Sequence, residues 1–349
     1  MLSNIRLQHF RSYTDTSFEF EDGVNIIIGP NASGKTNLLE AVLFVARGKS
    51  FRVKDQELLQ HGSEWARLDA DTPDTLRTVK LQQTAEKLQK TISIGDKTLS
   101  RLSPQTIIPT VLFEPSHLQF LVGAPEMRRD FIDSILEQID GSYTRLVNNY
   151  KRTLTQRNSL LKSERQPTQD QLFVWNVRLS EFGAQIVIKR HALIDEINQQ
   201  ASDTYSAIAG KQSDLTIKYT PDIQSDQYAS YLHKKLEERY ELDRLRGFTS
   251  VGPHREDITL FLDGNPQQHT ASRGEVRTTL LTLKIIELHM LEAAIKQRPL
   301  LLLDDVFSEL DGARRKALTK YLRRYQTFIT TTDADMVMNN IKNFNPLTL

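Results

Sequence analysis

Short apolar runs typical of strands dominate the first third of the chain. Asn4 to Phe10 alternates between apolar and polar residues, whereas Val24 to Ile28 is almost continuously apolar. Alternation with a period of two predicts a half-buried strand, and a short continuous run predicts a fully buried one. The same reasoning predicts further strands at Trp65 to Ala70, Leu76 to Leu81, Thr91 to Ile94 and Ile107 to Phe113.

The period then changes to that of a helix. From Glu126 to about Lys162, apolar residues recur mostly every three or four positions, with Gly141 as one weak point. This spacing predicts a single helix of about 36 residues. A second amphipathic run, with Trp175 and Leu179 on its apolar face, follows a polar turn at residues 163–170. Two such runs predict an antiparallel helical hairpin, which we call the arm.

The last third returns to a mixture of helices and strands. An aliphatic run at Leu300 to Leu303 predicts a buried strand, preceded by a helix from about Gly274 to Lys296. The other predicted elements are a strand at Leu215 to Tyr219, a charged helix at Tyr228 to Leu245, a hairpin at Ile258 to Gly264, a helix at Gly312 to Tyr325 and a strand at Thr327 to Thr330. The whole pattern predicts an α/β protein with a helical insert.

Composition narrows the function classes. The 349 residues are 39% hydrophobic and 26% charged and contain no cysteine, which excludes disulfides, cysteine zinc sites and thiol catalysis. No run approaches the ~18 apolar residues of a membrane span, and no signal peptide is visible, so we expect a cytoplasmic protein. Because the net charge is only +1, any nucleic-acid binding requires a local basic patch.

The stretch GPNASGKT, from Gly29 to Thr36, joins a predicted strand to a predicted helix. In this context glycines let the backbone amides turn toward phosphate oxygens, and the helix N-terminus adds partial positive charge. We expect Lys35 to reach the β- and γ-phosphates and Thr36 to hold Mg²⁺. The predicted nucleotide-binding residues of this stretch are Gly29, Pro30, Asn31, Ala32, Ser33, Gly34, Lys35, Thr36 and Asn37.

Two further motifs lie late in the chain. The aliphatic strand ends in Asp304 and Asp305, for which we predict roles in holding Mg²⁺ and in orienting or deprotonating the attacking water. Alone, this could be a buried strand with an acidic turn. Ser272 and Gly274 open a long helix, either as a second anion site or as a simple capping box with Glu275.

The order of these motifs resembles the ATP-binding-cassette superfamily, in its chromosome-associated branch with the SMC proteins. Over nearly the whole chain it is most similar to the RecF family of bacterial recombination and repair ATPases. The stretches that carry the resemblance are HFRSY at 9–13, GPNASGKTNLLEA at 29–41, PSH at 115–117 through FID at 131–133, VGPHR at 251–255, and LLDD at 302–305 through SELD at 308–311.

The resemblance implies an ABC-type ATPase head with an inserted helical arm. It implies boundaries at 1–115, 116–246 and 247–349 for the N-terminal head, the arm insert and the C-terminal head. Arg11 matches a nucleotide-contacting arginine, and Asp304 and Asp305 match the metal-site and catalytic acids. Asp305 stands where most cassette ATPases have Glu, and Ser116 stands where an acid is usual.

The resemblance also implies that the ATP site is shared between two copies. Ser272 and Gly274 match the signature that binds the γ-phosphate held by the other protomer, and Asp311 matches an acid at that interface. We therefore expect ATP and Mg²⁺ as cofactors and an ATP-dependent head-to-tail dimer. The family further implies slow ATP hydrolysis, DNA as a partner (double-stranded, gapped or a junction of single and double strands), and RecR, RecO and RecA as protein partners.

DNA binding has a weaker signal in the residues themselves. Six basic residues and a single acid lie between residues 145 and 165, a stripe that could neutralise phosphates or could be a solvated surface. The candidates are Arg145, Lys151, Arg152, Arg157, Lys162 and Arg165. A second basic run follows Arg314 and resembles an ordinary exposed helix face. The alternative function is an ABC-type ATPase subunit coupled to another partner, such as a membrane subunit.

Overall fold

The structure is a computed structural model that describes residues 1–73, 75–163, 167–333, 337, 341 and 343–349. They form two compact units, the first from residues 1–118 and 280–349 and the second from residues 119–279. Within the described ranges, no helix has the length and apolar character needed to cross a membrane.

The strands are β1 (Asn4–Phe10), β2 (Tyr13–Glu19), β3 (Val24–Ile28), β4 (Trp65–Asp71), β5 (Leu76–Gln83), β6 (Leu88–Ile94), β7 (Lys97–Leu99), β8 (Thr110–Phe113), β9 (Leu215–Thr220), β10 (Asp257–Leu262), β11 (Asn265–Pro266), β12 (Leu300–Asp304), β13 (Thr327–Thr331) and β14 (Phe344–Thr348). The helices are α1 (Lys35–Arg47), α2 (Pro125–Ile139), α3 (Tyr143–Leu161), α4 (Gln169–Ala209), α5 (Tyr228–Glu238), α6 (Tyr240–Arg246), α7 (Gln267–Thr270), α8 (Arg273–Ile295), α9 (Val306–Glu309) and α10 (Gly312–Leu322). Short 3-10 helices span Asp55–Leu58 and Pro115–Gln119.

The first unit contains an antiparallel sheet of six strands in the order β2-β1-β4-β5-β6-β7. Its strands alternate as the sequence predicts: Ile5 and Leu7 of β1 are fully buried, while Arg6 between them is exposed. The buried face packs on α1, whose Leu38, Leu39 and neighbours join the same apolar core.

The second sheet of this unit is parallel, with the order β14-β3-β13-β12-β8. β8 lies at an edge, as Pro109 predicts, because proline cannot donate a ladder hydrogen bond. β14 is an element that the hydrophobic pattern does not predict, since only Leu347 in it is a large aliphatic residue. It pairs with the free side of β3 and so makes β3 an interior strand.

The second unit contains the predicted arm, with one correction. The run predicted as one helix of about 36 residues is two helices, α2 with 15 residues and α3 with 19. The break falls next to Gly141, where the Asp140 carboxylate accepts hydrogen bonds from the Ser142 amide at 2.8 Å and its hydroxyl at 2.7 Å. Such local bonds compete with the helix. α3 and α4 pack on each other as the predicted hairpin.

A small sheet completes the second unit, with the order β11-β10-β9, and β9 packs on α4. Because β10 pairs with β9 along its whole length, the segment after residue 246 belongs with the arm unit up to Thr279. The compact unit that contains the arm therefore ends at Thr279, and the boundary expected at 247 stays a prediction. The predicted charged helix is also divided, into α5 and α6, at Arg239.

Candidate functional site

The site is built at the carboxyl edge of the parallel sheet. β3 leads into the 29–36 loop, β12 ends in Asp304, and β13 lies between these two strands. The carboxyl ends of parallel strands meet at one edge, which is where ligands bind in open α/β sheets. The topology thus confirms that the glycine loop and the paired acids, distant in sequence, share one edge.

The backbone of the loop requires its glycines. Gly34 has φ of 105°, and a Cβ there would lie 2.9 Å from the Tyr13 hydroxyl, which donates a hydrogen bond to the Gly34 carbonyl at 3.1 Å. A Cβ at Gly29 would lie 2.5 Å from Ser33 Oγ. Ala32 also has positive φ, at 66°. Only glycine fits the two close approaches without displacing neighbours.

Polar groups converge inside this loop. Lys35 is 8% exposed, and its Nζ donates to the carbonyls of Gly29 at 2.8 Å and Pro30 at 2.7 Å. Ser33 Oγ is buried and has no hydrogen-bond partner among the described residues. A buried ammonium and an unpaired hydroxyl in a glycine loop at a helix N-terminus fit the phosphates of ATP.

The predicted metal ligands lie together. Thr36 Oγ1 donates to Asp304 Oδ1 at 3.0 Å, and Thr330 Oγ1 donates to the same oxygen at 2.7 Å. No group of three or more His, Asp or Glu side chains in the described ranges is arranged to hold a metal. Hydroxyl and carboxylate oxygens of this kind fit Mg²⁺, which binds through few protein ligands together with phosphates.

Asp305 occupies a special backbone position directly after β12. Its φ is 51°, and its amide donates to Thr330 Oγ1 at 2.9 Å, so Thr330 connects both acids. Burial, followed by the nearby Asp304 carboxylate, raises the pKa of Asp305 above its usual range. A carboxylate with raised pKa at the carboxyl edge of the sheet suits a residue that orients or deprotonates water.

Arg11 and Asn37 lie near the loop but have protein partners. Arg11 forms a two-point ion pair with the buried Glu40, at 2.7 and 3.1 Å, and donates to the Glu57 carbonyl at 3.1 Å. Asn37 donates to Ser12 Oγ at 3.0 Å. The Arg11 guanidinium thus ties β1 to α1, and its contact with nucleotide stays a prediction.

Glu114 is a carboxylate at this edge that the sequence does not single out. It follows Phe113, which pairs with Leu303, so it is level with Asp304 on the adjacent strand. Burial, and then the nearby Asp304 among other charges, raises the pKa of Glu114. Ser116 Oγ donates to it at 2.5 Å, so Ser116, standing where an acid is usual, holds an acid two residues away.

The remaining predicted ATP-site residues lie at helix starts. In the second unit, the exposed Ser272 and the half-buried Glu275 form the capping box: the Ser272 amide and hydroxyl each donate to the Glu275 carboxylate at 2.8 Å. Gly274 lies in the first turn of α8. In the first unit, Asp311 caps α10 by accepting from the Arg314 amide at 3.0 Å. Their roles toward a second copy stay predictions.

The basic candidates of the arm divide into two groups. Arg145, Lys151, Arg152 and Lys162 are exposed, and Arg165 lies outside the described residues. Arg157 requires a correction, because it is fully buried and bonded to Asp243, Asn176 and Thr249, at 2.7–2.8 Å. Its guanidinium cannot meet a DNA phosphate without unfolding this cluster.

The glycine loop, the paired acids and the order of the strands define an ATPase of the ATP-binding-cassette type with an inserted helical arm. The chain belongs to the RecF/RecN/SMC family, because residues 1–346 match the model described as the RecF/RecN/SMC N terminal domain.

Curated relatives agree with this assignment. A protein of Acaryochloris marina, named DNA replication and repair protein RecF, is 34% identical over 345 residues, covering 95% of this chain and 92% of its own. A protein of the same name from Bacillus cytotoxicus is 35% identical and covers 96% of this chain and 92% of its own.

Solved structures extend the similarity to the fold. A recombination mediator protein RecF with ATPrS, described as acting in the RecFOR pathway, has a TM-score of 0.87 at 31% identity, covering 97% of this chain and 94% of that one. The Smc head domain of Pyrococcus furiosus has a TM-score of 0.52 at 15% identity, covering 98% of this chain and 92% of that one, and shows likeness of fold alone.

Proposed function

We propose that this chain is an ATP-gated DNA clamp that acts in recombinational repair and replication-fork maintenance. ATP joins two copies head to tail on double-stranded or gapped DNA, and slow, DNA-stimulated hydrolysis releases them. By similarity to the RecF proteins, the clamp works with RecR and RecO to load RecA.

The observation that carries this proposal is the position of Ser272. It is exposed directly before the first residue of a 23-residue helix, where helix N-terminal amides favour anions, and it belongs to a different unit from the loop at 29–36. A phosphate loop and a separate exposed anion site suit a nucleotide that lies between two copies. The ATP is then part of the interface.

Each copy contributes residues in defined roles. Lys35 and the loop amides bind the phosphates, and Thr36 and Asp304 hold Mg²⁺, which when bound neutralises phosphate charge and orients the γ-phosphate. Asp305 orients the attacking water and accepts its proton. Ser272 and Gly274 of the second copy contact the γ-phosphate, so the contact is lost after hydrolysis.

The exposed basic residues of the arm supply the DNA contact. Arg145 and Arg152 are both exposed on α3, seven positions apart and thus on one face of the helix. Exposed guanidinium groups on one face can neutralise successive phosphates without reading bases, which suits a clamp that must not depend on sequence.

Measuring the mass of the protein in solution by light scattering, with and without ATP and Mg²⁺, tests the proposal. We expect a monomer without ATP and a dimer with ATP. Lys35→Met and Ser272→Arg abolish the dimer, because each removes one half of the shared site. Asp305→Asn preserves it for longer, because the nucleotide is no longer hydrolysed.

Ser159→Arg is a matched control for Ser272→Arg, since Ser159 is an exposed serine on α3 outside both halves of the site. It should dimerise like the parent protein. A monomer under all conditions contradicts the clamp. Equal DNA affinity with and without ATP contradicts the gating, even if the dimer forms.

A further inference from the structure

A shallow cavity of about 320 Å³ opens on the outer face of the antiparallel sheet, on the side away from α1. Its polar and aromatic lining is formed by Gln8, Trp65, Arg67, Lys80, Gln82 and Gln89. The intervening residues Ala66 and Leu81 are 1% exposed, since their side chains point into the core. The cavity is therefore made by the outward positions of the strands.

The strand register arranges these side chains in two rows. Gln8 of β1 lies opposite Arg67 of β4, which lies opposite Lys80 of β5, which lies opposite Thr91 of β6. The second row contains Trp65, Gln82 and Gln89. Opposite residues in antiparallel strands have Cβ atoms about 5 Å apart, so each row forms a continuous strip.

Two cations face each other in the first row. Arg67 and Lys80 are direct cross-strand partners, an arrangement that destabilises a sheet when both are charged. Asp69 pairs with Arg67 at 2.7 Å, and the nearby Asp15 is paired with Arg6 at 2.7 Å. No acid in the described ranges forms an ion pair with Lys80. A bound anion would offset the repulsion that remains.

Trp65 supplies an aromatic surface beside these cations. It is 38% exposed, and its ring meets His9 edge to face, with centroids 4.4 Å apart. An exposed indole beside basic groups is the arrangement on which nucleobases stack in proteins that bind single strands. The side-chain amides of Gln82 and Gln89 continue its row with donors and acceptors that can meet a base edge.

We propose that this cavity binds one nucleotide unit of single-stranded nucleic acid, with its base on Trp65 and its phosphate between Arg67 and Lys80. The carboxylates of Asp15 and Asp69, each ion-paired with an arginine, flank the cations. Their negative charge confines the site to a short segment of the nucleic-acid strand. The site lies outside both the ATP edge and the arm, so it does not depend on the proposed clamp.

Tryptophan fluorescence can test the site, because the chain has only two tryptophans. In a Trp175→Phe background, Trp65 is the only reporter, and titration with a short oligothymidylate should quench its emission. Lys80→Gln should weaken this binding and lower its salt slope by about 0.7, the value for one phosphate on a single strand. Trp65→Ala should weaken binding about tenfold. Because this variant lacks the fluorescent reporter, its binding is measured by filter retention.

Lys97→Gln is the matched control, since Lys97 is exposed on β7 of the same sheet and does not line the cavity. It should bind like the parent. Equal affinity of Lys80→Gln and Trp65→Ala with the parent overturns the site. Quenching by thymidine, which lacks a phosphate, as tight as by the oligomer overturns the phosphate contact with Arg67 and Lys80.

Discussion

Among the described residues, charged side chains are ion-paired in the interior of the arm, whereas Asp304 and Asp305 at the ATP edge are not. In the arm, Arg157 and Asp243 are fully buried and form an ion pair at 2.8 Å, and Arg157 also donates to Asn176 and Thr249. At the ATP edge, the carboxylates of Asp304 and Asp305 form no ion pair within the part of the chain that the structure describes. A buried charge that is fully paired makes the loss of its partner costly, whereas a carboxylate without an ion-pair partner can interact with a ligand.

Arg157→Met should cause the largest effect. Removing one partner leaves Asp243 as an uncompensated buried charge, which costs about 3–5 kcal/mol of unfolding free energy. Urea denaturation measures this loss. Arg152→Met, on the same helix but exposed, should change stability by less than about 0.5 kcal/mol. Equal losses in the two variants would mean that burial does not distinguish these arginines. Adding Asp243→Leu to Arg157→Met should restore much of the stability.

Asp305→Asn should lower ATP turnover about a hundredfold or more, because an amide cannot accept the proton of the attacking water. Stability should hardly change, since Asp305 is not part of a buried ion pair. Phosphate release under saturating ATP measures the effect, with nucleotide binding as the check on folding. Asp305→Glu keeps the carboxylate and should retain most of the turnover; if it is as slow as Asp305→Asn, the carboxylate is not what matters.

A pH effect follows from His254 in the second unit. Burial lowers the pKa of His254 from 6.5 to about 4. The folded state therefore favours the neutral ring, in which Nε2 donates to the Thr249 carbonyl at 3.2 Å and Nδ1 accepts from the Tyr150 hydroxyl at 2.7 Å. This stabilisation is complete above pH 6.5 and is lost as pH falls toward about 4, amounting to roughly 2–3 kcal/mol.

As the pH falls from 6.5 to about 4, the free energy of unfolding should decrease more steeply for the parent protein than for His254→Gln. The difference between the two proteins isolates this histidine from the other titrating groups. Parallel pH profiles would show that His254 is not the source of the slope.

The smallest effect concerns the exposed arginines of the arm. Arg145→Gln with Arg152→Gln should lower the slope of DNA affinity against salt by about 1.8, since each phosphate contact contributes about 0.9. The control is Lys316→Gln with Lys320→Gln, two exposed residues of the second basic run on α10. If both pairs change the slope equally, the arm has no special role in DNA binding.

Local patterns account for the ATP edge. A strand followed by a glycine loop and Lys35, and a second strand closing on Asp304, are contiguous in sequence, so their chemistry is readable before folding. Glu114 and Thr330 cannot be recognised from local patterns, because their roles come from cross-strand neighbours. Thr330 reaches Asp304 and Asp305 only because β13 lies between β3 and β12. The sequence signal available for Glu114 is an acidic residue directly after an aliphatic strand.

The arm shows the limit of the same approach. Arg157 lies in a basic stretch that sequence alone cannot divide into exposed and buried residues, because its partner Asp243 is distant in the chain. The break after Ile139 also exceeds what Gly141 alone predicts, because a glycine weakens a helix by only about 1 kcal/mol. The helix ends where the Asp140 side chain accepts a hydrogen bond from Ser142.

The position of β14 has a consequence for handling this protein. β14 covers one side of β3, and the Leu349 amide donates to the Ile28 carbonyl at 2.9 Å. A version shortened before Phe344 would expose the edge of Val24–Ile28, an apolar five-residue strand with free amides and carbonyls. Such an edge is a template for aggregation. β14 thus prevents β3, the strand that leads into the nucleotide loop, from pairing with other chains.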